Sequence, residues 1–342
     1  MSLDRREFLV RTGLAVGGAA VGAGTLAGAE ATADRLRAAP SARPSPRLDT
    51  WAAVRAQFPL TRDRLHFGGL LLASHPAPVA HAIDRHRRGL DADPVDYLHR
   101  HQNDLEAAVY DAAGRYLGAD PRTIALTDST TMGLGLLYRG LDLEPGQEVL
   151  TTRHDFLATH DSLRYATSRT GSTLRFVSLY DQNRSSEATE DEMVASLLAA
   201  VSPHTRVVAV TWVHSSSGVR LPVARIAAEL ARLNADRAPT DRALLCVDGV
   251  HGLGVEDVTV AVLGCDFFAA GCHKWLFGPR GTGILWGKPR RLAPLHTNHS
   301  HVLGDATTRP HRNPGWLSLL RASVGAGRGL RVPPPDRQGT HR

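Results

Sequence analysis

The architecture this sequence predicts is α/β: a mostly parallel sheet with helices on both faces. Three observations predict it. Short runs of Val, Leu, Ile and Ala recur between residues 123 and 286, amphipathic stretches separate most of them, and Gly- and hydroxyl-rich segments follow several runs at their carboxyl ends. Strands buried on both faces read as continuous apolar runs, and the helices between them supply the crossovers that parallel pairing requires.

The first helical pattern spans Asp104 to Leu117, with Leu105, Ala108, Val109, Ala112 and Leu117 close to helical spacing. Strands are expected at Thr123–Leu126, Glu148–Leu150, Thr173–Leu179, Arg206–Val213, Ala243–Val247, Asp266–Ala270 and Gly283–Trp286. Helices are expected at Glu190–Val201 and Val223–Leu233. In such sheets a ligand sits outside the carboxyl ends of the strands. The residues just after each strand are therefore the ones to inspect for chemistry.

A chain of 342 residues accommodates one large domain with an appendage, and 42% hydrophobic with 22% charged residues excludes disorder and a multi-span membrane protein. The net charge of +6 is concentrated at the end: from Lys288 onward there are one Lys and nine Arg against Asp305 and Asp336. With no nucleic-acid-binding motif beside it, this basic excess does not indicate a nucleic-acid partner. Cys246, Cys265 and Cys272 show neither a CxxC pair nor Cys/His metal spacing, so they read as buried thiols and no metal is expected.

Residues 1–33 have the form of an export address. Arg5-Arg6 followed by Phe8-Leu9 resembles a twin-arginine signal, with an apolar run from Leu14 to Ala29 and small residues at Ala31-Thr32-Ala33. The resemblance implies the twin-arginine machinery as a partner and a periplasmic or extracellular location. Residues 34–60 then read as linker and N-terminal arm, 61–289 as the large domain, and 290–342 as an irregular basic tail.

Four segments point to chemistry. Thr127-Asp128-Ser129-Thr130-Thr131-Met132-Gly133 follows a strand and opens a helix, where free N–H groups and hydroxyls make an anion site or an N-cap. Asp248-Gly249-Val250-His251-Gly252 puts an acid at a strand end with glycine beside it; a carboxylate there keeps a nearby ring nitrogen protonated, though a metal or ribose ligand has the same pattern. His154-Asp155-Phe156-Leu157-Ala158 and Trp212-Val213-His214-Ser215-Ser216-Ser217-Gly218 end two further strands. The decisive stretch is Ala270-Gly271-Cys272-His273-Lys274-Trp275, followed by Gly278-Pro279-Arg280-Gly281. A lysine directly after an apolar strand is costly to bury as a cation and is a common Schiff-base former.

Together these segments resemble the class V aminotransferase family, fold-type I pyridoxal-phosphate enzymes, and in particular its isopenicillin N epimerase-like members, over about Leu65 to Pro289. The resemblance implies a pyridoxal 5′-phosphate cofactor, with Lys274 forming its aldimine and moving a proton. Asp248 would pair with the pyridine nitrogen and His251 contact the ring hydroxyl. Thr130, Thr131 and His273 would hold the phosphate at the site capped by Ser129, Phe156 would stack on the ring, and Ser215 would face the substrate.

The same resemblance implies a homodimer acting on an amino acid or amine by transamination or epimerisation. Family members continue into a small C-terminal domain that contributes a carboxylate-binding arginine. Residues 290–342 carry no helix or strand pattern beyond a short apolar piece around Trp316–Leu320, so they read as a remnant of that domain. Two alternatives follow: a remnant that only binds cofactor, and a cysteine desulfurase-like lyase, which needs a nucleophilic cysteine on a C-terminal loop.

Overall fold

The computed structural model describes residues 48–289. The export address at 1–33, most of the linker and the basic tail at 290–342 lie outside the described residues. Within the stretch read as arm, α1 (Trp51–Ala56) forms on an N-cap in which the Thr50 hydroxyl accepts from the Ala53 N–H at 3.1 Å. Two longer helices follow, α2 (Ala77–Ala92) and α3 (Pro94–Leu117). Asp93 separates them and caps the second, its carboxylate accepting from the Asp96 N–H at 3.0 Å. Helix α3 starts upstream of the Asp104 start that its periodicity indicates. The Asp-Pro pair at its head sets the start, and the polar run after it offers no apolar stripe to read.

The remaining elements alternate. They are β1 (Ile124–Thr127), α4 (Thr130–Gly140), β2 (Glu148–Thr152), α5 (Leu157–Thr170), β3 (Thr173–Val177), α6 (Glu190–Ala200), β4 (Thr205–Thr211), α7 (Val223–Leu233), β5 (Leu244–Asp248), α8 (Val260–Leu263), β6 (Phe267–Gly271) and β7 (Gly283–Gly287). They build a seven-stranded sheet in the order β1-β7-β6-β5-β4-β2-β3. All neighbouring pairs are parallel except those of β7, which runs antiparallel to both β6 and β1. Residues 272–282 join β6 to β7 as a turn without a helix, and parallel pairing would need a longer crossover. Because β7 reverses between β1 and β6, those two strands point the same way. The carboxyl ends of β1, β2, β4, β5 and β6 all open on one edge.

Two cores hold the sheet, one on each face. Val208, Val210, Leu245, Val247 and Phe268 pack with Val109, Leu197, Ile226 and Leu230. Val207, Ala209, Leu244, Cys246 and Phe267 pack with Leu134, Leu137 and Leu163. Adjacent residues of β4 and β5 thus belong to opposite cores, as the two-residue strand repeat requires. Burying a side chain such as Phe267, 0% exposed, contributes about 2–3 kcal/mol. A deletion such as Leu137→Ala in this packing costs about 2–5 kcal/mol.

Candidate active site

Strand β5 delivers Asp248 to the sheet edge, where its carboxylate accepts from the Val250 N–H at 3.1 Å and is 2% exposed. Gly249 allows the close packing behind it, since a Cβ there would lie 2.0 Å from the Phe268 ring. The turn that follows carries His251. From β6, the loop Cys272–Thr282 is pinned by Cys272 N–H to Thr282 C=O at 2.9 Å and Gly278 N–H to Cys272 C=O at 2.7 Å. That loop holds Phe277 at φ 58°, a left-handed conformation costly for a bulky side chain. It brings Lys274 Nζ to 3.5 Å from His251 Nε2, while the Trp275 indole N–H donates to His251 Nδ1 at 3.0 Å. The structure therefore gathers Asp248, His251 and Lys274 at one corner.

Burial dominates the electrostatics of this corner. It pushes Asp248 up to about 7; the charge of Asp155 adds to the rise, while the Val250 N–H and Lys274 oppose it. Burial also lowers the Lys274 amine, with Asp248 pulling the other way, and burial with the Lys274 charge takes His251 down to about 4. Every group here resists charge. The corner thus weakens the amine's hold on its proton, and a cation placed against Asp248 would restore that carboxylate's negative charge.

The anion-binding end forms where α4 starts beside the end of β6. Ser129 caps α4, its hydroxyl accepting from the Met132 N–H at 3.1 Å. Thr130 Oγ1 accepts from the Gly271 N–H at 2.7 Å, which joins the helix start to the strand end carrying His273 and Lys274. Gly271 leaves a cradle there: a Cβ would lie 3.0 Å from the His273 ring and 3.2 Å from Thr130 Oγ1. His273 Nδ1 is buried with no partner, and Thr131 lies exposed one residue into the helix. An unpaired imidazole nitrogen, a threonine hydroxyl and a helix N-terminus form a donor set that suits a phosphate. Among the described residues no group of three or more His, Cys, Asp and Glu could hold a metal ion.

The other expected residues stand further along the edge. Phe156 is the residue before α5 and is 57% exposed; Ser215 lies exposed in the loop after β4. Both line a cavity of about 920 Å³ together with Arg153, His154 and Tyr180.

Sequence reasoning passed over three groups. Asp155, 7% exposed, accepts from the Thr151 hydroxyl at 2.8 Å, the Thr152 N–H at 2.7 Å and the Thr211 N–H at 2.7 Å, tying β2 to β4. Tyr180 stacks on His154, centroids 3.9 Å apart, and its hydroxyl bonds His214 Nδ1 at 2.9 Å and Ser217 at 2.8 Å. Trp275 sets the partner of His251. An acid three residues beyond a strand end, as Asp155 is, was the one available signal. The ring pairs join positions far apart in sequence and left none.

Comparison with known proteins agrees with this geometry. The family model described as aminotransferase class-V matches residues 73–311. The isopenicillin N epimerase of Streptomyces clavuligerus is 30% identical over 220 residues, 64% of this chain and 52% of that protein. A probable cysteine desulfurase of Mycolicibacterium paratuberculosis is 24% identical over 290 residues, 80% of this chain and 40% of that protein. The chain thus spans about half the length of the curated relatives it matches. Among solved structures, the cystine C-S lyase C-DES, in complex with cysteine persulfide, superposes with a TM-score of 0.69 at 23% identity, covering 83% of this chain and 75% of that one. A matched segment that contains the strand ends, the Asp248 turn and the Lys274 loop places the chain in the class-V aminotransferase family, whose cofactor is pyridoxal 5′-phosphate.

Proposed function

We propose that this chain binds pyridoxal 5′-phosphate through Lys274 and acts on an amino acid or a related amine by epimerisation or transamination. The observation that carries the reading is the corner itself: a half-buried lysine amine 3.5 Å from His251, in a loop beside the buried acid Asp248. When bound, the cofactor supplies an electron sink that stabilises negative charge on the substrate carbon next to nitrogen. The chain's own groups do the rest. Lys274 offers an amine whose proton affinity is lowered by burial, so it can bond to an aldehyde carbon and later carry a proton to or from the substrate carbon. Asp248 holds a proton on the ring nitrogen. Thr130, His273 and the start of α4 bind the phosphate, with Thr131 at their edge.

The test is optical. The purified chain is expected to show the absorbance band of a lysine-bound pyridoxal, and Lys274→Ala to lack it; a folded chain that stays colourless after addition of pyridoxal phosphate overturns the reading. A screen of amino acids then separates racemisation, amino transfer and sulfur release.

The desulfurase-like alternative needs an accessible thiolate. Cys246, Cys265 and Cys272 are all buried, and burial pushes the latter two up to about 12, so none offers one. The resemblance to isopenicillin N epimerases supports the epimerase side. A chain that only binds cofactor is the remaining reading, and steady turnover of any amino acid removes it. Export through the twin-arginine machinery and homodimer formation complete the proposal. They are checked by signal cleavage in a secreting host and by light scattering.

A further inference from the structure

The Trp275 indole bridges to His251 in a way that constrains the proton inventory around Lys274. An indole N–H can only donate, so at 3.0 Å His251 Nδ1 must be the acceptor. A neutral imidazole that accepts at Nδ1 carries its one hydrogen on Nε2. That Nε2 stands 3.5 Å from Lys274 Nζ. An ammonium also only donates, so an Nε2–H facing an ammonium sets two donors against each other. An Nε2–H facing a neutral amine finds a lone pair.

The contact is held by backbone as well as side chain. Gly254, three residues past His251, runs at φ 88° with its Cα so close to the Trp275 carbonyl that a Cβ would lie 2.6 Å from it. The histidine turn is thereby pressed against the lysine loop, and His251 is 7% exposed. The titratable groups facing Lys274 are Asp248 at the end of β5, His251 in the turn after it and His273 beside it. Burial opposes the ammonium and Asp248 favours it. Against that opposed pair, the hydrogen that His251 turns toward Nζ tips the balance to the neutral amine.

We propose that Trp275 is a positioning residue: it fixes His251 as the Nε2–H tautomer and so holds the Lys274 amine in its neutral, nucleophilic form before any cofactor arrives. This inference rests on the reading of Lys274 as the reactive amine, and it is tested without cofactor.

The full chain, freed of bound carbonyl compounds with hydroxylamine, is labelled competitively with acetic anhydride across the pH range. The Lys274 peptide is quantified by mass spectrometry in the parent chain and in Trp275→Phe, which keeps an aromatic ring and loses the N–H. The labelling midpoint of Lys274 is expected to rise by about one pH unit in the variant, which is about a tenfold loss of neutral amine below the midpoint. An unchanged midpoint in a folded variant overturns the proposal. A second measurement needs no variant: ¹⁵N resonances of ring-labelled histidine, with His251 assigned by loss of its signal in His251→Gln, should show Nε2 protonated and Nδ1 bare. A protonated Nδ1 overturns it. A shifted midpoint in a chain that never forms the pyridoxal absorbance band would sink the cofactor reading and leave this one standing.

Discussion

The two halves of the sheet's carboxyl edge are built on opposite plans. At the β2 and β4 end, most polar groups close on one another: Asp155 takes three donors, His154 accepts from the Leu179 N–H and bonds Gln182, and Tyr180 bonds both His214 and Ser217, while His214 Nε2 and Thr211 Oγ1 stay unpaired. At the β5 and β6 end, partners are withheld. Asp248 has one N–H, His273 Nδ1 has none, and Lys274 has only a long contact to His251. A satisfied buried group adds stability, and an unsatisfied one stores a demand for a ligand. The titratable groups with fewest partners, Asp248 and Lys274, lie in the second, open half, which reads as the place where a ligand is held, and the first, closed half reads mainly as scaffold with a cavity on its rim.

Breaking the open half should abolish function with little damage to the fold. Lys274→Ala is expected to remove covalently held cofactor altogether and to lower turnover by at least about three orders of magnitude, since the nucleophile itself is gone. The far-ultraviolet spectrum and melting temperature should stay near those of the parent. Loss of the fold in this variant would erase the contrast.

Asp248→Asn comes next and cuts both ways. Cofactor binding and turnover are expected to fall about 100-fold or more with the charge that faces the ring nitrogen. The cofactor-free chain, however, should gain stability. Burial raises the Asp248 carboxyl to about 7 in the fold, so its stabilising share is full below the ordinary 3.8 and is lost as pH climbs through 7. Asparagine escapes that loss, and urea unfolding at pH 8 should show the variant about 1–3 kcal/mol more stable.

The open half was also the half written in the sequence. Asp248, His251 and Lys274 stand within short segments whose glycines and strand ends are visible in one dimension, and seven strands were legible because each has a short apolar stretch, broken in β3 by Arg175. The antiparallel turn of β7 was hidden, since strand direction depends on the length of a connection and not on the strand's composition. Helices α2 and α5 left weak signals: both mix His, Arg, Asp and Thr among few apolar residues, and tertiary packing supplies what periodicity lacks. The closed half was almost invisible. Apart from the local bonds of Asp155 to Thr151 and Thr152, its contacts pair residues more than twenty positions apart, as His154 with Gln182 and Tyr180 with His214, and no local pattern encodes them.

Breaking the closed half should do the reverse, damaging the fold first. Asp155→Asn leaves three donors around a group that can satisfy only part of them, with an expected cost of about 3 kcal/mol in urea unfolding. Any loss of cofactor affinity should follow from that. An Asp155→Asn chain as stable as the parent but unable to bind cofactor would move Asp155 to the open half.

Acid should find the same seam. Burial takes His214 down to about 4, so its contribution is complete above the ordinary 6.5 and is lost as pH falls from there toward 4. His251 shifts in the same direction and through the same window. The melting temperature is expected to drop over that range, with His214 accounting for up to about 3 kcal/mol. His214→Asn should flatten the drop; an equally steep profile in the variant would remove His214 as its source.

The smallest effect sits at the β2 end of the edge. Phe156 follows Asp155 of the closed network yet leaves 57% of its own surface exposed above the cavity it shares with Ser215. An aromatic ring this exposed adds little to the fold, so Phe156→Ala should leave urea unfolding within about 0.5 kcal/mol of the parent. Stacking on a bound ring is worth about 0.5–1.5 kcal/mol, so the pyridoxal phosphate dissociation constant should rise about 2- to 12-fold. Phe156→Tyr, which keeps the ring face, should restore it. An unchanged dissociation constant in Phe156→Ala would assign this ring to the surface and leave the cofactor site without a contribution from the β2 end.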